Sequence, residues 1–299
     1  MRPDQRVIAS IETAASLDGW SDRIRSIVDP AVGRGTRRDA LTGRWMGHPA
    51  HPMMVVVPMA CWIAAATVDV IGGQGADRIA RRLVGVGVIA VVPAAATGAA
   101  DWLDTAGAER RIGTVHAIVN NVAAVAFVGS WFARRTGHRT LGRALSGFGI
   151  AAIGCGGYLG GHLAYARGVG VNTTAFQSGP TEWTPLCAVD DVDDVGDGGV
   201  VQAHLGTVAF AVIRRGRDFD VVEDRCSHRG GPLSDGEVDG GCIECPWHGS
   251  RFATDTGTVL SGPASVPQPA YETRVRGGKL EIRRAENGGL RQNPVGASS

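Results

Sequence analysis

The sequence predicts a multi-domain protein, in which a four-helix transmembrane bundle is followed by a small all-β domain. Two observations predict this fold class. Four charge-free apolar runs follow one another in the first half, each close to the roughly twenty residues that a helix needs to cross a bilayer. From residue 182 onward, short stretches of strand-forming residues alternate with glycine-rich turns, which is typical of an antiparallel β domain.

The four apolar runs contain no Asp, Glu, Lys or Arg and are rich in alanine, glycine and valine. Small residues allow neighbouring helices to approach closely in lipid, so the composition favours a compact bundle. A buried bundle in a soluble protein is the alternative, but four successive charge-free runs are atypical of soluble helices. The runs are residues 49–68, 83–100, 113–132 and 144–166.

The chain around these runs divides by composition. Apolar residues recur at helical spacing near the N-terminus, which predicts an amphipathic surface helix there. The last fifteen residues are polar and glycine-rich, which predicts disorder. The predicted segments are a polar N-terminal segment (1–45), the transmembrane domain (46–170), a linker (171–181), the β domain (182–284) and a disordered tail (285–299).

The orientation in the membrane does not follow from charge. Seven arginines flank the runs on each side of the membrane. Neither side therefore has the excess of basic residues that marks cytoplasmic loops. The polar N-terminus does not resemble a cleavable signal peptide. We therefore expect a multi-pass protein of the cell membrane, with both termini and the β domain in the cytoplasm.

Ionisable residues gather at one end of the predicted bundle. His48 and His51 begin the first span, and Asp101 ends the second. His116 begins the third span and His162 ends the fourth, so alternating helix directions place all five at one face. We interpret them as a polar network at the helix ends. A b-type haem or metal site is the alternative, because histidines on facing helices can be axial ligands.

Two loops in the C-terminal part each combine one cysteine with one histidine. They read C-S-H at 226–228 and C-P-W-H at 245–248. Two thiolates and two imidazoles can hold the two irons of a [2Fe–2S] cluster. Zinc is the alternative, but zinc fingers usually pair Cys with Cys and His with His. Here the two residue types alternate within each loop, which favours a cluster and one-electron transfer.

The residues around both loops resemble a known family. Residues 226–233 (CSHRGGPL) and 245–252 (CPWHGSRF) closely resemble the Rieske iron–sulfur family, and the resemblance covers about residues 181–284. It implies a small antiparallel barrel or sandwich with both loops at one tip. Gly231 and Trp247 stand where respiratory members carry a disulfide, so the chain is more similar to ferredoxin-type Rieske domains of oxygenase systems.

The resemblance also implies the ligands and their surroundings. Cys226 and Cys245 would bind one iron, while His228 and His248 would bind the outer iron and titrate with its oxidation state. Ser250 stands where the hydroxyl of many family members donates a hydrogen bond to cluster sulfur. Phe252 stands where high-potential members have tyrosine, which is a second donor. With one donor missing, we expect a potential in the lower half of the Rieske range, roughly −150 to +300 mV.

The first half resembles a second family. Residues 47–52 (GHPAHP), 97–102 (TGAADW) and 160–163 (GGHL) are similar to a bacterial four-helix membrane-domain family of uncharacterised function, over about residues 44–171. This resemblance supports the architecture and implies no chemistry.

These observations together predict a membrane-anchored electron-transfer protein, more readily a component of an oxidoreductase system than a stand-alone enzyme. Its expected partners are the lipid bilayer and either electron donor and acceptor proteins or a quinol, and nothing indicates nucleic acid. Two alternatives stay open: a membrane oxidoreductase or oxygenase component with a haem b or metal site in the bundle, and a redox or iron sensor.

Overall fold

The chain forms two compact units in the computed structural model, which describes residues 3–73, 75–177 and 179–284. The first unit contains residues 49–170 together with the chain before residue 44. The second unit contains Arg44–His48 and the chain from Val171 onward. The predicted tail, 285–299, lies outside the described residues.

The first unit confirms the predicted helical bundle. Among the described residues, four helices are long and apolar enough to cross a membrane. Each extends beyond its charge-free run, because the flanking arginines and polar residues continue the helix in regular geometry. The spans are α4 (His51–Met54) continued by α5 (Val56–Ile71), α6 (Ala76–Leu103), α7 (Gly107–Arg135), and α8 (Arg139–Gly161) continued by a π-helical turn (His162–Ala166).

The bundle buries small residues and exposes large apolar ones. Ala80 and Ala123 are fully buried between helices, whereas Ile89 and Val125 are 75% and 72% exposed. In lipid, helices gain from close packing of small residues, while large apolar side chains contact acyl chains. The distribution therefore suits a protein surrounded by lipid.

Two aromatic side chains fill the middle of the bundle. The rings of Trp62 and Phe127 stack with centroids 4.1 Å apart. Glycines make room for them: a Cβ at Gly87 would lie 2.3 Å from the Trp62 indole nitrogen, and one at Gly149 would lie 2.7 Å from the Phe127 ring. The glycine-rich composition of the spans therefore serves helix–helix contact.

The N-terminal segment forms three helices that pack on the same bundle: α1 (Pro3–Thr13), α2 (Asp18–Val32) and α3 (Thr36–Thr42). The amphipathic pattern of α1 buries Ile8 against Ile112 and Leu159. Ion pairs add to this contact. They join Arg111 to Asp18, Arg38 to Asp104, and both His162 and Arg167 to Glu12.

The second unit is an antiparallel β domain, as the strand pattern predicts. A six-stranded sheet has the order β1-β10-β9-β4-β3-β2, and a four-stranded sheet has the order β5-β6-β7-β8. The strands are β1 (Thr184–Ala188), β2 (Val200–Leu205), β3 (Val208–Arg215), β4 (Asp218–Glu223), β5 (Glu237–Asp239), β6 (Cys242–Glu244), β7 (Arg251–Ala253), β8 (Val259–Ser261), β9 (Ala270–Arg276) and β10 (Lys279–Arg284).

The smaller sheet holds the Cys/His loops. The first loop connects β4 to β5, and the second connects β6 to β7. The sequence pattern does not predict three strands of this sheet, β5, β6 and β7, because three residues are too few to show alternation. The acidic stretch after β1 contains one helical turn, α9 (Asp190–Asp193), around buried Val192.

Candidate metal centre

The first loop turns back on itself around Cys226. The Cys226 amide donates to the Gly231 carbonyl at 2.9 Å, and the Gly230 amide donates to the Cys226 carbonyl at 2.8 Å. Gly230 has φ 75°, a left-handed conformation that favours glycine. The sequence R-G-G-P after the histidine therefore closes a tight loop that projects the cysteine inward.

The second loop repeats this geometry around Cys245. The Cys245 amide donates to the Ser250 carbonyl at 2.8 Å, and the Gly249 amide donates to the Cys245 carbonyl at 3.0 Å. Gly249 has φ 70°. The two loops thus use the same pair of backbone bonds, four and five residues after each cysteine, so they present their thiols and imidazoles in equivalent ways.

The four predicted ligand side chains form two contacting pairs. Cys226 and Cys245 are 1% and 2% exposed, and their thiols lie within hydrogen-bonding distance of each other. The rings of His228 and His248 meet edge to face with centroids 5.2 Å apart and remain partly exposed. The thiols therefore lie inside the domain, while the imidazoles lie toward its surface.

This donor set fits a dinuclear cluster better than a single zinc ion. Among the described residues, no three His, Cys, Asp or Glu side chains come together closely enough for one metal ion. The donors instead form a thiol pair and an imidazole pair, which is the division that a [2Fe–2S] cluster with two Cys and two His requires. A Cβ at Gly231 would lie 3.0 Å from the Cys245 sulfur, so glycine leaves the room that the thiol pair needs.

The contact between the two thiols also shifts their pKa values. The hydrogen bond from Cys226 lowers the pKa of Cys245 to about 6, and the same contact raises the pKa of Cys226. Metal ligands must be deprotonated, so the lowered pKa favours the form of Cys245 that can bind iron.

Two residues that sequence reasoning missed hold the first loop. Gln268, fully buried, donates from Nε2 to the carbonyls of Glu223 and Arg225 at 2.6 and 2.8 Å, and its Oε1 accepts the Ser227 amide at 2.9 Å. Thr173 donates from its hydroxyl to the Cys226 carbonyl at 2.6 Å. Part of the predicted linker therefore supports the loop. Neither residue carries a local signal, because each acts on a loop more than forty residues away.

Replacing Gln268 by leucine is expected to loosen the first loop. Three buried backbone groups would lose their partners, and each costs about 1–3 kcal/mol when unsatisfied. We expect amide exchange of the peptide around Ser227, measured by mass spectrometry, to accelerate at least about a hundredfold. The control is Gln177→Leu, the same change at a partly exposed side chain in the same unit. Unchanged protection in Gln268→Leu, or equal loss in the control, would contradict this role.

The two positions expected to tune the cluster differ in what they offer. Ser250 is fully buried, and its hydroxyl oxygen accepts the Ala264 amide at 3.2 Å. Its own hydrogen therefore stays available for donation. Phe252, on β7, is fully buried and has no polar atom to donate. The hydrogen bond from Ser250 to cluster sulfur and the lower potential stay predictions.

Disulfides take no part in the described structure. All six cysteines are free thiols, including Cys187 and Cys242. Trp247 instead packs on Gly231, since a Cβ there would lie 2.9 Å from the indole ring.

Two of the five polar residues of the bundle, His51 and His116, contact each other. His51 and His116 have ring centroids 6.4 Å apart. Their Nδ1 atoms lie 2.9 Å from the carbonyls of Ala94 and Gly156, respectively. Because a carbonyl only accepts, each Nδ1 carries the proton and each Nε2 carries the lone pair.

The other three polar residues differ in their surroundings. His162 bonds to Glu12 of α1, with 3.0 Å between Nε2 and Oε1. His48 belongs to the second unit. Asp101 makes no side-chain hydrogen bond to either histidine within the described stretches. His51 and His116 therefore form a pair within the first unit, and a common site for all five residues stays a prediction.

Comparisons with known families match both units. Residues 182–272 match the family described as Rieske [2Fe-2S] domain. Residues 47–173 match the family described as predicted membrane protein DUF2231.

Individual relatives match the C-terminal part. Ferredoxin CarAc of Metapseudomonas resinovorans is 35% identical over 102 residues, which is 33% of this chain and 92% of that protein. The anthranilate 1,2-dioxygenase ferredoxin subunit of Burkholderia cepacia is 34% identical, over 34% of this chain and 91% of the relative. A solved complex of oxygenase and ferredoxin in carbazole 1,9a-dioxygenase shows 33% identity and a TM-score of 0.32, over 35% of this chain and 97% of that one.

Proposed function

We propose that this chain, which belongs to the Rieske [2Fe-2S] family through residues 182–272, is a membrane-anchored protein that transfers single electrons. One observation carries the proposal: two loops of the same geometry bring together a pair of buried thiols and a pair of partly exposed imidazoles. Four apolar spans and the DUF2231 match support the membrane anchor.

Each of the four side chains has a proposed role. Cys226 and Cys245 would hold the inner iron, and His228 and His248 would hold the outer iron. When bound, the cluster supplies a reversible one-electron couple. The cysteine side of the site is buried away from water. The histidine side is partly exposed, so an electron can enter or leave there.

The electron partners are proposed from chemistry and from the relatives. The named relatives are ferredoxin subunits of dioxygenase systems, which favours protein donors and acceptors over a quinol. Residues 181–284 hold seventeen acidic and eleven basic side chains, so a partner with a basic face would be attracted. Trp247 is 58% exposed beside His248 and offers an apolar contact near the exit point. We place this domain in the cytoplasm.

Spectra of the purified full chain, with metal quantification, test the proposal. We expect two irons per chain and the paramagnetic resonance signal of a reduced Rieske cluster. Bound zinc without iron, or iron without that signal, would contradict it.

The histidine pair in the bundle favours one second function, a membrane oxidoreductase with a haem or metal site. Histidines that bind metals usually anchor the other ring nitrogen in this way, as His51 and His116 do on helix carbonyls. The same spectra decide it: a Soret band, or metal beyond the two irons, would support this function. Their absence would leave the pair as a structural contact between helices.

A further inference from the structure

The end of the bundle away from the histidine pair is strongly basic. It comprises the end of α5, the start of α6, the end of α7 and the start of α8. Seven arginines and two aspartates lie in this part of the sequence. The arginines are Arg78, Arg81, Arg82, Arg134, Arg135, Arg139 and Arg143, and the aspartates are Asp69 and Asp77.

Both aspartates are already paired. Arg134, whose side chain is fully buried, donates to Asp69 at 2.8 Å and to Asp77 at 3.0 Å. Arg139 approaches Asp77 at 3.4 Å, and Arg143 approaches Asp69 at 3.6 Å. No carboxylate at this end is therefore left to neutralise the other arginines.

Three of the remaining arginines line one cleft. Arg81, Arg82 and Arg135 surround an open cleft of about 440 Å³ together with Trp131. Within the described stretches these three guanidinium groups have no carboxylate partner. Positive charge gathered in a cleft without an internal counterion favours an anion from outside.

The helices hold the cleft in shape. Trp131 lies against α6 at Gly85, where a Cβ would be 2.8 Å from the indole nitrogen. Arg135, one turn further along α7, lies over the Trp131 ring at 5.3 Å. Arg81 and Arg82 come one turn before Gly85 on α6. The floor is thus aromatic, and the charges project from two regular helices.

The cleft lies where the apolar part of the bundle ends. The charge-free run 83–100 begins directly after Arg82, and the run 113–132 ends three residues before Arg135. In a membrane these residues would be at the depth of the lipid headgroups, where tryptophan is also enriched.

We propose that this cleft binds the phosphate of an anionic phospholipid headgroup. Guanidinium groups bind phosphate oxygens in bidentate geometry, and the indole offers an apolar surface for the glycerol and upper acyl chain. Basic pockets between transmembrane helices bind such headgroups in general. A soluble phosphate compound shares the chemistry, but a cleft at the lipid boundary favours the lipid.

Native mass spectrometry of the full chain tests the proposal, using mixed micelles that contain phosphatidylglycerol or phosphatidylcholine. We expect one retained phosphatidylglycerol and weaker retention of phosphatidylcholine. The variant Arg81→Gln/Arg82→Gln/Arg135→Gln keeps side-chain length and removes the charge. Its affinity for phosphatidylglycerol should fall about a hundredfold, because each arginine near a charged membrane surface contributes about fivefold.

The matched control is Arg34→Gln/Arg37→Gln/Arg78→Gln, which removes three exposed arginines outside the cleft. It should retain the lipid. Equal loss in both variants, or no loss in the cleft variant, would overturn the proposal. Displacement by millimolar inorganic phosphate would also overturn it in favour of a soluble anion. Unchanged helical circular dichroism in both variants shows that the bundle stays folded.

Discussion

Replacing Cys245 by serine is expected to abolish the paramagnetic resonance signal of the cluster and to remove most of its iron. The hydroxyl of serine is a harder and far less acidic donor than a thiol, so it is a poor iron ligand in a cluster of this type. Cys245 also lies in contact with Cys226, so the change takes away one half of the thiol pair. Spectra and iron content of the purified variant measure the loss.

Cys242→Ser is the matched control for this experiment. Cys242 lies three residues earlier and is similarly buried at 5%. Its sulfur makes a weak 3.9 Å contact with the Ile243 carbonyl and also contacts the Arg251 side chain, but it does not touch the thiol pair. It should keep the signal and two irons per chain. A Rieske signal that survives in Cys245→Ser, or disappears equally in Cys242→Ser, would refute the ligand assignment.

Replacing Arg134 by methionine is expected to destabilise the bundle by about 3–5 kcal/mol. Methionine keeps much of the volume, but Asp69 and Asp77 would lose their buried partner and keep only the longer contacts with the exposed Arg143 and Arg139. An uncompensated buried charge costs more than the intact pair contributes. Denaturant unfolding in micelles, followed by helical circular dichroism, measures the change in the free energy of unfolding.

Two further variants separate charge from packing. Arg78→Met removes an exposed arginine at the same end and should change stability by no more than about 0.5 kcal/mol. Adding Asp69→Asn and Asp77→Asn to Arg134→Met should recover part of the loss, because the orphaned charges are gone. A triple variant no more stable than Arg134→Met would show that packing, and not charge, explains the effect.

Local patterns predicted much of the fold. Four charge-free runs predict four helices because the length of an apolar run is a local property. Runs of strand-forming residues between glycine-rich turns also predict longer strands, such as β3 and β9. The three-residue strands β5, β6 and β7 could not be predicted, since they form only by pairing with partners that tertiary structure supplies.

The candidate site could likewise be predicted from the sequence only in part. The two Cys/His loops stand out because their ligands, glycines and prolines lie within a few residues of each other. Gln268 and Thr173 do not stand out, because each reaches the Cys226 loop across a long stretch of chain. The sequence places seven arginines at each end of the bundle. Only the contacts reveal that Arg134 forms ion pairs with both aspartates of its end.

The sequence by itself determined that this protein has four membrane-length helices, an antiparallel β domain and two equivalent Cys/His loops. These follow from spacing and composition over short windows. Only the tertiary structure decided that His51 meets His116, that Gln268 supports the first loop, and that three arginines share a cleft with Trp131. Such contacts depend on helix rotation and on pairing between distant segments, which local patterns do not encode.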